Sequence, residues 1–242
     1  MSSFPVVVVF GPLGVGKSAL FSMIDRLFET PDVWTTAEPS HAVLGSPLQT
    51  LYRQDDKSGG AVQLMILMHR IVQHMRVLAD ARCKPLPGVV MLDGHPYTDR
   101  LIYNNWLLAS GRLMSTKQRS QYDNTLNMHA DHVLNPCVYV HLTCDPQILL
   151  RRIRRRARPE ERELTREAIE DHACASKNAA DRLRADGHEV LTLDNTFLSV
   201  HQTAVRLFDL WRTSSAFQQS PFAQKRQAST NTFCRFRRLH SI

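Results

Sequence analysis

The sequence is poor in cysteine, and its few cysteines follow no pattern. Among 242 residues there are five cysteines, and no two of them have CxxC spacing: Cys83, Cys137, Cys144, Cys174 and Cys234. An odd number without such spacing argues against a disulfide framework and against a cysteine-based metal site. We therefore expect a reducing compartment, of which the cytoplasm is the simplest.

Long apolar runs are also absent from the sequence. No run reaches the ~20 residues that a membrane-spanning helix needs. The first apolar run begins at Val6, and neither a basic segment nor a cleavage site precedes it. This beginning argues against a signal or transit peptide, and we expect no membrane partner.

Basic residues are concentrated in two segments, which outweigh the rest of the chain and give the net charge of +7. Residues 213–242 contain five basic residues and no Asp or Glu, and residues 151–166 contain eight arginines against three glutamates. The rest of the chain is slightly acidic, which argues against a general nucleic-acid surface and leaves such binding open only for the tail. We predict one domain over 1–212 and a basic, mostly disordered tail over 213–242.

Short apolar runs alternate with stretches of helical spacing. Four β-branched runs without polar alternation predict buried parallel strands at 6–10, 88–93, 137–143 and 190–193. Helical spacing appears at 18–28, 62–79, 101–108, 147–156, 165–185 and 199–211. The alternation predicts an α/β fold in which helices flank a parallel sheet.

The most informative motif lies between the first predicted strand and the first predicted helix. It is a P-loop pattern and reads Gly11-Pro-Leu-Gly14-Val-Gly16-Lys17-Ser18. Its glycines let successive N–H groups surround a phosphate, and the helix N-terminus adds partial positive charge. We expect Lys17 to reach the β- and γ-phosphates of ATP and Ser18 to bind Mg²⁺.

Asp93 ends the second predicted strand, which is the place of a second Mg²⁺ ligand in a P-loop NTPase fold. The chain has no NKxD motif, which argues against a GTPase. The plainer alternative for Asp93 is a cap on the turn that follows.

An arginine-rich segment over about 151–164 follows the third predicted strand. Guanidinium groups can bind the oxygens on which charge develops during phosphoryl transfer, so the segment predicts a lid over ATP. A solvated basic helix or an RNA-binding patch is the alternative, although the glutamates within the run argue against it. The lid arginines are Arg152, Arg155, Arg156 and Arg158.

Together these motifs resemble the deoxynucleoside kinase family over about residues 5–212. Glu38-Pro39 is similar to the family's Glu-Pro pair, and Asp93-Gly-His-Pro-Tyr-Thr-Asp99-Arg-Leu-Ile-Tyr103 to its Glu-Arg-Ser…Ser-Asp-Arg-Tyr-Ile-Phe stretch. Residues 152–161 are similar to its lid pattern Arg-Ile-x-x-Arg-x-Arg-x-Glu-Glu. The resemblance implies transfer of the ATP γ-phosphoryl group to the 5′-hydroxyl of a deoxynucleoside, with Mg²⁺, in nucleotide salvage.

The resemblance also implies roles for individual residues. Glu38 would be the general base on the 5′-hydroxyl, and Tyr52 and Glu161 would hold the 3′-hydroxyl. Gln63 would pair with the edge of the base, and Tyr103 would flank it. Lys17 and the lid arginines Arg152, Arg156 and Arg158 would bind ATP, with Lys17, Arg152 and Arg156 stabilising the transferred charge.

Arg70 and Asp99 bear on the choice of base. Arg70 follows Gln63 by seven residues and so shares its helix face. Family members that act on deoxycytidine or purine deoxynucleosides have Arg and Asp at these places. Asp99 would accept from an exocyclic amine, which thymine lacks. We therefore expect deoxycytidine or a purine deoxynucleoside, with a thymidine kinase of viral type as the alternative.

The sequence departs from the family's motif pattern at Gly94 and His95-Pro96, and two other functions also fit its motifs. Gly94 stands where the family has an arginine, and His95-Pro96 resembles a herpesviral thymidine kinase motif. A nucleoside monophosphate kinase and a non-catalytic nucleotide binder are the other functions compatible with a P-loop and basic segments. If the chain is viral, the expected compartment is the host cytoplasm, and the basic tail leaves nuclear entry open.

The resemblance implies a homodimer, as its members are usually dimers. Four apolar residues of the second predicted helix could serve at such an interface or in the core: Met65, Met68, Ile71 and Met75.

Overall fold

Five parallel strands form one sheet in the order β2-β3-β1-β4-β5. The computed structural model describes residues 4–27, 33–36, 58–83, 88–109, 114–162 and 164–218. The strands are β1 (Val6–Phe10), β2 (Val33–Thr36), β3 (Val89–Asp93), β4 (Val138–Thr143) and β5 (Val190–Asp194). The predicted α/β class with a parallel sheet is confirmed.

Helices cover both faces of this sheet. Alternate residues of β1 enter two separate apolar clusters, Val7 and Val9 on one face and Val6, Val8 and Phe10 on the other. This double burial explains why the strand is apolar throughout. The helices are α1 (Lys17–Leu27), α2 (Gly59–Cys83), α3 (Pro96–Asp99), α4 (Asn105–Ala109), α5 (Thr116–Met128), α6 (Pro146–Arg156), α7 (Arg166–Ala185), α8 (Val200–Arg212) and α9 (Ser215–Gln218).

The strand order places β1 between β3 and β4, so the chain leaves β1 at a topological switch point. In parallel sheets a crevice opens at this point, outside the carboxyl ends of the strands. Val9 pairs with Asp93 and Phe10 with His141, so three strand ends border the same crevice. Within the described residues, no helix is both long and apolar enough to cross a bilayer.

The elements β2 and α5 were not predicted, and one predicted helix is irregular. β2 is a four-residue edge strand with three half-buried residues, and α5 buries only Tyr122, so neither has a strong apolar pattern. α5 is attached instead by Asp123, which accepts from Arg100 at 2.7 Å. The predicted helix over 101–108 begins earlier, as α3, and continues through a π-helical turn at Arg100–Asn104 into α4.

The folded part of the chain extends past Arg212. Ser215–Gln218 form a short helix, and the Phe217 ring packs edge-on against Trp211 with a centroid distance of 4.8 Å. The Ser215 hydroxyl donates to Glu189 at 2.5 Å. Burial of one aromatic ring thus removes residues 213–218 from the predicted tail. The remainder of that tail lies outside the described residues.

Four histidines are buried among the residues that the structure describes, and burial keeps them neutral. Burial lowers the pKa of His74 to about 2, of His172 to about 3, and of His95 and His141 to about 4. Two of them hold one backbone segment, because the Leu134 N–H donates to His74 Nδ1 and the Leu134 carbonyl lies 2.9 Å from His95 Nε2.

These histidines predict that stability falls in mild acid. The unfolded chain binds protons on histidine near pH 6.5, whereas the folded protein does not until about pH 4. The unfolding free energy therefore decreases as pH falls from 6.5 towards 4, by roughly 1 kcal/mol per pH unit for each histidine. Urea denaturation at pH 7, 6 and 5 measures this loss. A His141→Gln variant should show a smaller slope, and equal stability at pH 7 and 5 would contradict the prediction.

Candidate active site

The phosphate-binding loop joins β1 to α1 at the edge of the crevice. Gly14 and Gly16 have φ values of +77° and +101°, in the left-handed region that favours glycine. The Lys17 ammonium lies back across the loop and donates to the carbonyls of Gly11 at 3.2 Å and Pro12 at 3.4 Å. The predicted P-loop residues are therefore brought together at a helix N-terminus.

Side chains from distant segments hold this loop from outside. The Asn195 amide donates to the Val15 carbonyl at 2.5 Å, and the Thr203 hydroxyl donates to Asn195 Oδ1 at 2.7 Å. Arg152 donates to the Val15 carbonyl at 3.3 Å and to the Asn195 carbonyl at 2.8 Å. Asn195 was not predicted as a site residue, because no motif in the residues around it indicates a contact with the P-loop.

His172 of α7 is a second residue that the sequence did not indicate. The Leu13 N–H donates to His172 Nδ1 at 3.4 Å. The His172 ring contacts the rings of Tyr103 and Trp106 at centroid distances of 4.8 and 5.3 Å. Burial is the main reason why the pKa of His172 is lowered, and the positive charge of Lys17 lowers it further. Its Nε2 atom is buried without a hydrogen-bond partner among the described residues. His172 thus connects the P-loop to the segment that carries Tyr103.

The predicted lid arginines lie on α6 and just beyond it. Arg156 forms a two-pronged ion pair with the buried carboxylate of Glu161, one bond of which measures 2.6 Å. The Arg158 guanidinium lies 4.0 Å from the same carboxylate. Arg152, one helical turn before Arg156, faces the P-loop. The structure therefore brings Arg156, Arg158 and Glu161 into one cluster and places Arg152 on the loop.

On the other side of the crevice, Arg70 of α2 pairs with Asp99 of α3. Both side chains are buried, and the Arg70 Nε and Nη2 atoms donate to the two carboxylate oxygens. Arg70 Nη1 also donates to the backbone carbonyl of Asp93 at 2.5 Å. Two turns earlier on α2, the buried Gln63 has an Oε1 atom without a hydrogen-bond partner in the described part of the chain.

Four other residues were predicted to belong to the site, and two of them lie within the described residues. The Asp93 carboxyl is fully buried at the end of β3, and Tyr103 lies in the π-helical turn that follows Asp99. Glu38 and Tyr52 lie outside the described residues, so their roles stay predictions.

Ser18 and Asp93 offer oxygen donors of the kind that Mg²⁺ prefers. Within the described ranges, His, Cys, Asp and Glu side chains nowhere gather in a group of three or more that could hold a metal ion. A Mg²⁺ ion at this loop would therefore take one or two protein oxygens and complete its shell with phosphate and water. Such sparse protein ligation is usual for Mg²⁺ in phosphate-binding enzymes.

The family profile described as deoxynucleoside kinase matches residues 7–211, which span the whole sheet and the lid. The chain belongs to the deoxynucleoside kinase family. It is therefore an ATP-dependent phosphotransferase that acts on deoxynucleosides, and the family resemblance in its motifs is confirmed.

Individual relatives agree with this assignment. The kinase is 25% identical to a deoxyguanosine kinase from Bacillus subtilis (strain 168) over 196 residues, which cover 80% of this chain and 88% of the relative. Its fold is similar to two structures of deoxyadenosine kinase from M. mycoides, one with the products dCMP and a flexible dCDP and one with dCTP. The TM-scores are 0.67 and 0.68 at 18% and 17% identity, over 86% of this chain and 100% of theirs.

The contacts of Asn195 predict a role in ATP binding. An Asn195→Ala variant removes the bond that holds the Val15 carbonyl, so the loop loses preorganisation. We expect KM for ATP to rise about tenfold, equivalent to about 1.4 kcal/mol. A Thr203→Val variant removes only the support of Asn195 and should give a smaller rise. Steady-state kinetics with varied ATP measures both, and an unchanged KM in Asn195→Ala would contradict the role.

Proposed function

We propose that this kinase phosphorylates deoxycytidine or a purine deoxynucleoside in preference to thymidine. The observation that carries the proposal is the buried Arg70–Asp99 pair beside the end of β3. A base with an exocyclic amine can donate to the Asp99 carboxylate. Thymine has a carbonyl oxygen in place of this amine, so its binding would set one buried acceptor against another, which costs free energy.

Gln63 supports the same assignment. It lies two turns before Arg70 on one face of α2, and its Oε1 is a buried acceptor without a partner among the described residues. A nucleobase edge presents both donors and acceptors, and an amide can match one of each. Gln63 and Asp99 would thus read the base together, with Arg70 orienting Asp99 and Tyr103 flanking the ring.

We assign the charge-stabilising roles to the P-loop and the lid. Lys17 would leave its present carbonyl partners for the β- and γ-phosphates of ATP, and Arg152 already lies at the loop. Arg156, with Lys17 and Arg152, would stabilise the transferred phosphoryl group, and Arg158 would bind ATP. The contact of Arg156 and Arg158 with Glu161 fixes these lid arginines and would place this carboxylate near the sugar, where it and Tyr52 would bind the 3′-hydroxyl.

Glu38 would take the proton from the 5′-hydroxyl as this oxygen attacks the γ-phosphorus. Ser18 and Asp93 would hold Mg²⁺, which when bound neutralises charge on the β- and γ-phosphates. We place the enzyme in the cytoplasm, on the basis of its unpatterned cysteines.

A thymidine kinase of viral type remains the second candidate, and it rests on His95-Pro96. In the fold, His95 is the N-cap of α3, and its ring accepts from the Tyr97 N–H at 3.1 Å while Nε2 faces the Leu134 carbonyl. Both ring nitrogens are thus engaged in backbone contacts, so the motif does not by itself favour thymidine.

The base preference predicts the outcome of a substrate panel. With ATP and Mg²⁺, we expect kcat/KM for deoxycytidine or a purine deoxynucleoside to exceed that for thymidine by at least about 100-fold. Removing both charges of the pair in an Arg70→Met/Asp99→Ala variant should reduce this ratio towards one. A coupled assay with the four deoxynucleosides measures it.

Two results of this panel would contradict the proposal in different ways. Thymidine as the best substrate of the wild-type enzyme would overturn the base preference. Phosphorylation of dTMP but of no deoxynucleoside would favour a nucleoside monophosphate kinase, and nucleotide binding without turnover would favour a non-catalytic binder.

We also infer that the enzyme forms a homodimer through α2. Four large apolar side chains are 40–46% exposed on one face of this helix: Met65, Met68, Val72 and Met75. Ile71, the remaining candidate, is buried against Leu67 and Tyr122 and belongs to the core. An apolar stripe of this kind is typical of a surface that a partner covers.

Light scattering after size exclusion tests the dimer. The wild-type enzyme should have twice the monomer mass of 27.6 kDa. A Met68→Glu/Met75→Glu variant should be monomeric, because charges do not transfer into an apolar interface. Met128→Glu is the matched control, since Met128 is 75% exposed and belongs to α5 rather than to the α2 stripe. A monomeric wild-type enzyme would contradict the inference.

A further inference from the structure

Gly94 lies where no side chain fits beside Arg70. A Cβ atom at this position would be 2.5 Å from Arg70 Nη2, 3.0 Å from Cζ and 3.2 Å from Nη1. Atoms of folded proteins do not approach a Cβ to 2.5 Å, so a substituted residue 94 and this guanidinium cannot keep their places together. The guanidinium therefore occupies the volume that a side chain at 94 would need.

Arg70 has little freedom to give way. It is 3% exposed, and three of its nitrogens are engaged, two with the Asp99 carboxylate and Nη1 with the Asp93 carbonyl. The Gly94 N–H is itself fixed, because it donates to the Val9 carbonyl of β1 at 2.9 Å. Displacing the guanidinium would break these hydrogen bonds and leave the buried Asp99 carboxylate without its cation.

We propose that Gly94 is a positioning residue for base selection. In this chain the left-handed backbone at residue 94 directs a Cβ at the Arg70 guanidinium, so glycine here lets Arg70 hold Asp99 and the end of β3 at once. The inference rests on the proposed function, in which Asp99 reads an exocyclic amine. Gly94 precedes α3 and need not touch substrate. It acts through Arg70, so its replacement should alter the choice of base rather than only the stability of the fold.

Gly187 is a control that separates the steric effect of a side chain at residue 94 from the cost of its left-handed backbone. Gly94 and Gly187 both have left-handed backbones, with φ of +77° and +87°. A Cβ at Gly187 would meet nothing within 4 Å, and this residue follows the C-terminal end of α7. Alanine at Gly187 therefore carries only the cost of the backbone conformation, whereas alanine at Gly94 adds the collision with Arg70.

The test compares Gly94→Ala with Gly187→Ala in two backgrounds. In the wild-type background, Gly94→Ala should lower the kcat/KM ratio of the best amine-bearing deoxynucleoside to thymidine by about tenfold. Gly187→Ala should leave this ratio within about twofold of the wild-type value. In the Arg70→Met/Asp99→Ala background, Gly94→Ala should change the ratio no further, because residues that act as one unit are not additive.

Thermal unfolding supplies a readout that does not depend on activity. In the wild-type background, Gly94→Ala should lower Tm more than Gly187→Ala does. In the Arg70→Met/Asp99→Ala background, the two substitutions should lower Tm by similar amounts. If the wild-type enzyme turned over no deoxynucleoside, the proposed function would fail while this comparison still tested the steric coupling. Equal Tm losses for Gly94→Ala in both backgrounds, or an unchanged base ratio, would overturn the inference.

Discussion

One buried guanidinium fixes the arrangement of three elements on the β3 side of the crevice. Arg70 comes from α2, and its donors reach Asp99 at the end of α3 and the backbone carbonyl at the end of β3. A buried cation is costly unless it is paired and hydrogen-bonded, so these three elements keep one relative placement. The glycine at position 94 follows from the same constraint, since the cation fills the space beside it.

The phosphate side of the crevice is organised in a different way. There side chains from distant elements hold the loop: Asn195 after β5, Arg152 of α6 and His172 of α7. The two sides meet at the centre of the sheet, where Val9 of β1 pairs with Asp93 of β3. In the proposed function, base selection and phosphate binding would thus depend on separate sets of contacts around one pair of strands.

Local patterns in the sequence were sufficient for the strands β1, β3, β4 and β5, the P-loop and the lid. Each depends on neighbouring residues, and even the Arg156–Glu161 pair spans only five positions. β2 and α5 lacked strong apolar patterns and were missed. Asn195 and His172 act on residues 180 and 159 positions away, which no local motif encodes. Gly94 looked like the loss of a family arginine, and only the fold shows that Arg70 occupies its surroundings.

The most direct test of the central claim is a crystal structure of the enzyme with deoxycytidine or deoxyguanosine and ADP. We expect the exocyclic amine to lie within about 2.7–3.2 Å of the Asp99 carboxylate. We also expect Arg70 to keep its bonds to Asp99 and to the Asp93 carbonyl, in contact with Gly94. A base bound without contact to Asp99, or an Arg70 side chain displaced from Gly94 in the complex, would contradict it.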